Sequence, residues 1–121
     1  IKNKTIIFTL KDDGKNINEI KKKHVKIYML EKKNFNITFI IKELAKLGIC
    51  NLLVEGGREI FTSFINEDLV DKIIIFRSNY FIGSHGLNSV DCLSETKKRK
   101  YILKHQANLD NNSMEIFEKE I

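Results

Sequence analysis

The residues best equipped for chemistry in this chain lie in one short stretch, NLLVEGGREIFTSF, residues 51–64. A carboxylate, Glu55, precedes Gly56 and Gly57 where an apolar run gives way to an amphipathic one. A helix starting there presents unpaired backbone N–H groups and the positive end of its dipole, the combination that holds phosphate. Glycines let a phosphate approach those groups closely, because no Cβ stands in the way. The competing account is a sharp strand-to-helix turn, and a bare glycine pair does not choose between them. The pattern is not GxGxxG, so the Rossmann dinucleotide fingerprint is absent. Glu55 has two readings as well: a carboxylate that accepts hydrogen bonds from a ligand's hydroxyl or amino groups, or one that bonds to the adjacent helix start. Arg58 stands either near ligand phosphates or in solvent.

Elsewhere the chemistry is sparse. Cys50 and Cys92 are far apart, with no CxxC and no His/Cys cluster, so neither a disulfide framework nor a metal site is expected. His24 ends a lysine-rich turn, His85 sits in a glycine loop, and His105 alternates with Tyr101 and Leu103, which predicts packing at a sheet face. No catalytic side chain is assigned. The net charge of +5 raises nucleic acid as a partner. The lysines, however, gather at Lys21–Lys26 and Lys97–Lys100 beside acidic residues and without interleaved aromatics, so they read as solvated faces. No apolar run approaches the ~20 residues needed to cross a bilayer, and no signal peptide is recognisable, so a cytoplasmic protein without membrane contact is expected. The chain begins with Ile in a segment that already reads as strand, which suggests that something upstream is missing.

The elements that must position residues 51–64 follow from hydrophobic periodicity. Periods of two and of 3.6 alternate along the chain, predicting one α/β domain of parallel βα units and a mixed sheet. Strands are expected at Thr5–Thr9, Val25–Leu30, Asp71–Ser78 and, as a short buried run, 49–55. A short helix should open at Asn16 and reach about Lys23. A second is capped by Asn36, carries Ile37, Ile40, Ile41, Leu44 and Ala45 on the face turned to a sheet, and ends at Gly48. A third, after Gly57, carries Ile60, Phe61, Phe64 and Ile65 on one side as core. Lys100–Gln106 and Ser113–Lys119 alternate and are joined by ANLDNN, which predicts an antiparallel terminal hairpin.

Taken together, LLVEGG, the amphipathic helix, LVDKI leading a strand and FIGSHG resemble the C-terminal reductase domain of the bifunctional riboflavin-biosynthesis deaminase/reductase, the RibD family. The resemblance spans nearly the whole chain and is most specific from Leu52 to Gly83. It implies a dihydrofolate-reductase-like fold over residues 1–121, the C-terminal part of the reductase domain. It also implies NADPH-dependent reduction of a phosphorylated pyrimidine, 5-amino-6-(5-phosphoribosylamino)uracil, to its ribitylamino product. By the same resemblance Gly56 and Gly57 are the glycine pair of the cofactor site, and the N–H groups from Gly57 through Arg58, Glu59, Ile60 and Phe61 line the NADPH pyrophosphate. Glu55 then faces the substrate, and the chain pairs with itself as a homodimer. Asn79 stands where the family usually has Pro, which bears on the shape of that loop. The family's zinc deaminase signature is absent, so no deaminase activity is assigned. Two alternatives stay open: another NADPH-dependent reductase of the same fold, and a non-catalytic remnant that serves association.

Overall fold

The computed structural model describes residues 5–10, 25–91 and 100–120. Its chain divides into two compact units, Ile1–Leu52 and Leu53–Ile121. The helix expected from Asn16 to about Lys23, with His24 and Cys92, lies outside the described residues.

In the first unit, β1 (Ile6–Leu10) and β2 (Lys26–Leu30) pair in parallel, with Ile6 opposite Lys26 and Leu10 opposite Leu30. Their β-branched and aromatic residues suit a pleated surface. Phe8 and Tyr28 face each other in register, with ring centroids 5.2 Å apart, and Lys26 Nζ lies 4.8 Å from the Tyr28 ring centroid. Helix α1 (Ile37–Lys46) starts where Asn36 Oδ1 accepts the Phe39 N–H at 2.9 Å. It stops in a Schellman motif: Gly48, at φ +81°, donates to Ala45 O, and Ile49 donates to Leu44 O. The apolar stripe of α1 is half-buried, Ala45 is exposed, and Leu30 is the buried hydrophobic residue of this unit.

Residues 49–57 form neither helix nor strand. The strand expected at 49–55 does not form: this segment has no ladder partner among the described residues, and Leu52 and Leu53 are exposed. Apolar character alone predicted that strand, but a strand is defined by pairing. Helix α2 (Arg58–Asn66) follows, with Phe64 buried and Phe61 and Ile65 half-buried, whereas Ile60, expected in the core, is 45% exposed. It also ends in a Schellman motif, here with Asp68 rather than glycine in the left-handed region at φ 60°. Asp68 N donates to Ile65 O and Leu69 N to Phe64 O.

The antiparallel sheet has the order β3–β5–β4, built from β3 (Lys72–Arg77), β4 (Tyr101–Leu109) and β5 (Asn112–Lys119). The terminal hairpin forms as expected, but its strands run further into ANLDNN and leave only Asp110 and Asn111 as the turn, with Asp110 at φ 53°. β5 is therefore the central strand, and β4 lies at an edge that bulges between Leu103 and His105. His105 is exposed rather than packed, opposite Ile116. Side-chain bonds help fasten the sheet to the chain leaving α2: Tyr101 OH donates to Val70 O at 2.9 Å, and Lys119 Nζ donates to Asp68 Oδ2 at 2.9 Å. That hydrogen bond raises the Lys119 pKa above its ordinary 10.5, with the Asp68 charge adding to it against desolvation.

Candidate functional site

The mouth of α2 is uncapped. Its N-cap is Gly57, which has no side chain to offer, and no other side chain among the described residues caps it. A helix leaves its first N–H groups without intrahelical acceptors. Here Phe61 N–H is already committed to Gly57 O at 3.2 Å. Among the described residues, the first-turn N–H groups without an acceptor run from Gly57 through Arg58 and Glu59 to Ile60. The helix dipole adds partial positive charge at these donors.

The two glycines have different causes. A Cβ on Gly56 would meet Ile60 Cβ at 3.0 Å and its Cδ1 and Cγ2 at 3.1 Å, so a side chain at 56 would crowd Ile60 and force it to shift. A Cβ on Gly57 would meet nothing within 4 Å. At φ −83° and ψ 179° the backbone of Gly57 is one that any residue adopts. Neither conformation nor internal contact requires glycine at 57, so the open space there is available to something from outside.

Glu55 is exposed and makes no hydrogen bond or ion pair among the described residues. The alternative in which it caps α2 is not realised. Glu59, the acidic residue of the first turn, is exposed and complements the dipole. Arg58 is directed toward Asp91, with Nε 3.8 Å from Oδ2.

Two residues escaped sequence reasoning. Thr62 Oγ1 donates to Arg58 O at 2.7 Å and accepts the Asp91 N–H at 2.8 Å, so it fastens the segment after the glycine loop to α2. The hydroxyl four residues after Arg58 carried a local signal, since Thr in a helix commonly bonds back one turn. Asp91, 29 positions further on, carried none. Between β3 and Asp91 the chain turns at Gly83, φ +80°, where Gly86 N donates to Gly83 O at 3.3 Å. Tyr80, Phe81, Ile82, His85 and Leu87 are exposed there. Among the described residues no group of His, Cys, Asp or Glu could hold a metal ion, and no helix is long and apolar enough to cross a membrane.

A parallel strand pair, two helices and an antiparallel sheet, with a helix start that follows a glycine pair and carries no side-chain cap, define an α/β protein. The chain matches the RibD C-terminal domain model over residues 2–118 and belongs to that family. Riboflavin biosynthesis protein RibD of Aquifex aeolicus (strain VF5) is 34% identical over 102 residues, which cover 79% of this chain and 28% of that protein. The structure of Acinetobacter baumannii RibD, form 2, superposes with a TM-score of 0.71 at 17% identity, over 85% of this chain and 29% of that one. Form 1 gives 0.70 at 17% identity, over 86% and 29%. This chain thus spans under a third of the length of these relatives. The fold is the α/β, dihydrofolate-reductase-like one that the resemblance implied.

Proposed function

We propose that residues 1–121 belong to one reductase domain that uses NADPH to reduce the ribosylamino side chain of 5-amino-6-(5-phosphoribosylamino)uracil in riboflavin biosynthesis. The observation that carries this reading is the family match over residues 2–118, which crosses both units and includes the uncapped mouth of α2. The geometry fits the phosphate end of the cofactor. Gly57 leaves room for close approach, the N–H groups of Gly57 to Ile60 have no acceptor among the described residues, and Arg58 stands at the same turn.

When bound, NADPH supplies the hydride, and the chain supplies position and electrostatics. In this reading Glu55, exposed and uncommitted, accepts hydrogen bonds from the hydroxyl or amino groups of the pyrimidine substrate. The protein is cytoplasmic, in keeping with an exposed free thiol at Cys50. It also pairs with itself through sheet surface such as the β4 edge, because exposed edges are covered or used for association.

The test is a reductase assay with the phosphoribosylaminouracil, following cofactor oxidation and identifying the ribitylamino product. Turnover with NADPH well above that with NADH supports the proposal. Equal use of both cofactors contradicts the NADPH assignment, and NADPH binding without reduction of this substrate contradicts the substrate assignment.

A further inference from the structure

Asp91 places a carboxylate beside Arg58, the first residue of α2. The Thr62 hydroxyl has a single proton, which it gives to Arg58 O at 2.7 Å, so its lone pair is what receives the Asp91 N–H at 2.8 Å. This attachment runs through the backbone N–H of residue 91. The carboxylate faces Arg58, with Nε and Oδ2 3.8 Å apart and side chains 39% and 55% exposed.

That separation is longer than a hydrogen bond, and ion pairs this exposed hold weakly. A bidentate phosphate contact would be shorter and stronger. The pair can thus yield to an arriving phosphate, but until then Asp91 neutralises the charge that would attract it. With Arg58 at the first position of α2, the unpaired N–H groups and the guanidinium would otherwise act together on one anion.

We infer that Asp91 is an internal competitor for Arg58: its carboxylate holds the guanidinium while the mouth of α2 is empty and is displaced by the cofactor's phosphates, so it lowers cofactor affinity and sets the dependence of that affinity on salt. The inference rests on the cofactor reading given above and assigns a regulating residue to the same site. Its consequence is that the carboxylate weakens binding, the reverse of what a simple fastening role would give.

Asp91→Asn keeps the backbone N–H that bonds Thr62 and removes the charge. Binding of NADPH and of inorganic pyrophosphate is measured by titration calorimetry at low and high ionic strength for the wild type, Asp91→Asn, Asp91→Glu and Arg58→Gln, and for Asp91→Asn combined with Arg58→Gln. Melting temperatures confirm that each variant is folded. The charge-removing variant binds both ligands about three- to tenfold more tightly at low salt, with the gain shrinking as salt rises. Asp91→Glu stays near the wild type, and the gain largely disappears in the Arg58→Gln background. Unchanged or weaker binding by Asp91→Asn, with the wild type binding normally, overturns the inference and leaves the cofactor reading intact. Binding of NADPH by neither protein overturns that reading and the inference with it.

Discussion

Gly57→Asp should make the protein more stable and its cofactor binding worse. The extended backbone at 57 accepts any residue, and a Cβ there meets nothing within 4 Å. An Asp side chain would then cap the free N–H groups of the first turn, worth a few tenths of a kcal/mol over glycine. The lost flexibility of the unfolded chain adds about 0.4–1 kcal/mol. The sum, about 0.5–1.5 kcal/mol, raises the melting temperature by about 2 to 7 °C for a chain of this size. The same carboxylate fills the approach to the mouth. A unit charge about 5 Å from a phosphate, at an effective dielectric between ~20 and ~80, repels it by about 1–3 kcal/mol. NADPH binding should therefore weaken by about 5- to 150-fold. Gly57→Ser separates the causes, since it caps and fills without charge and should weaken binding less. Thermal melts and fluorescence titration with NADPH supply both readouts. Unchanged NADPH affinity in Gly57→Asp, or a stability loss in both variants, would refute the reasoning.

Gly56→Val should lower stability by about 1–3 kcal/mol because its side chain drives into Ile60, and adding Ile60→Ala should recover part of the loss in denaturant melts. Glu55→Gln should reduce kcat/KM for the pyrimidine substrate by about tenfold or more through loss of charged hydrogen bonds, with the NADPH dissociation constant nearly unchanged. Lys119 has its pKa raised in the folded protein, so its pairing with Asp68 stabilises the fold fully below the unfolded value near 10.5 and is lost as pH rises through the folded value. Melts of the wild type and Asp68→Asn should accordingly differ at neutral pH and converge in strong alkali.

What could be read from the sequence was local. Asn36 and Gly48 announced the ends of α1 by residue type, and both bond as their types suggest. The strands appeared within a few residues because alternation and β-branching are properties of neighbours along the chain. The segment 49–55 shows the limit: apolar content does not say whether a pairing partner exists. The glycine pair was legible as a feature but not in its parts, since only the distance from Gly56 to Ile60 separates a packing glycine from an open one. Asp68 drew no attention as a helix terminator, because Asp takes the left-handed conformation less often than glycine. Its carboxylate bond to Lys119, 51 positions away, accompanies that conformation here. The contact of Thr62 with Asp91 was equally out of reach, its partners separated by a glycine loop that leaves no periodic trace.

The central claim is that the mouth of α2 receives the phosphates of NADPH. The most direct measurement is a titration of the isotope-labelled protein with NADPH, following backbone amide resonances. The account predicts that the amides of Gly57, Arg58, Glu59 and Ile60 shift together and saturably, while that of Phe61, already bonded to Gly57 O, responds less. Saturable binding that moves resonances elsewhere and leaves those of Gly57 to Ile60 in place would contradict it.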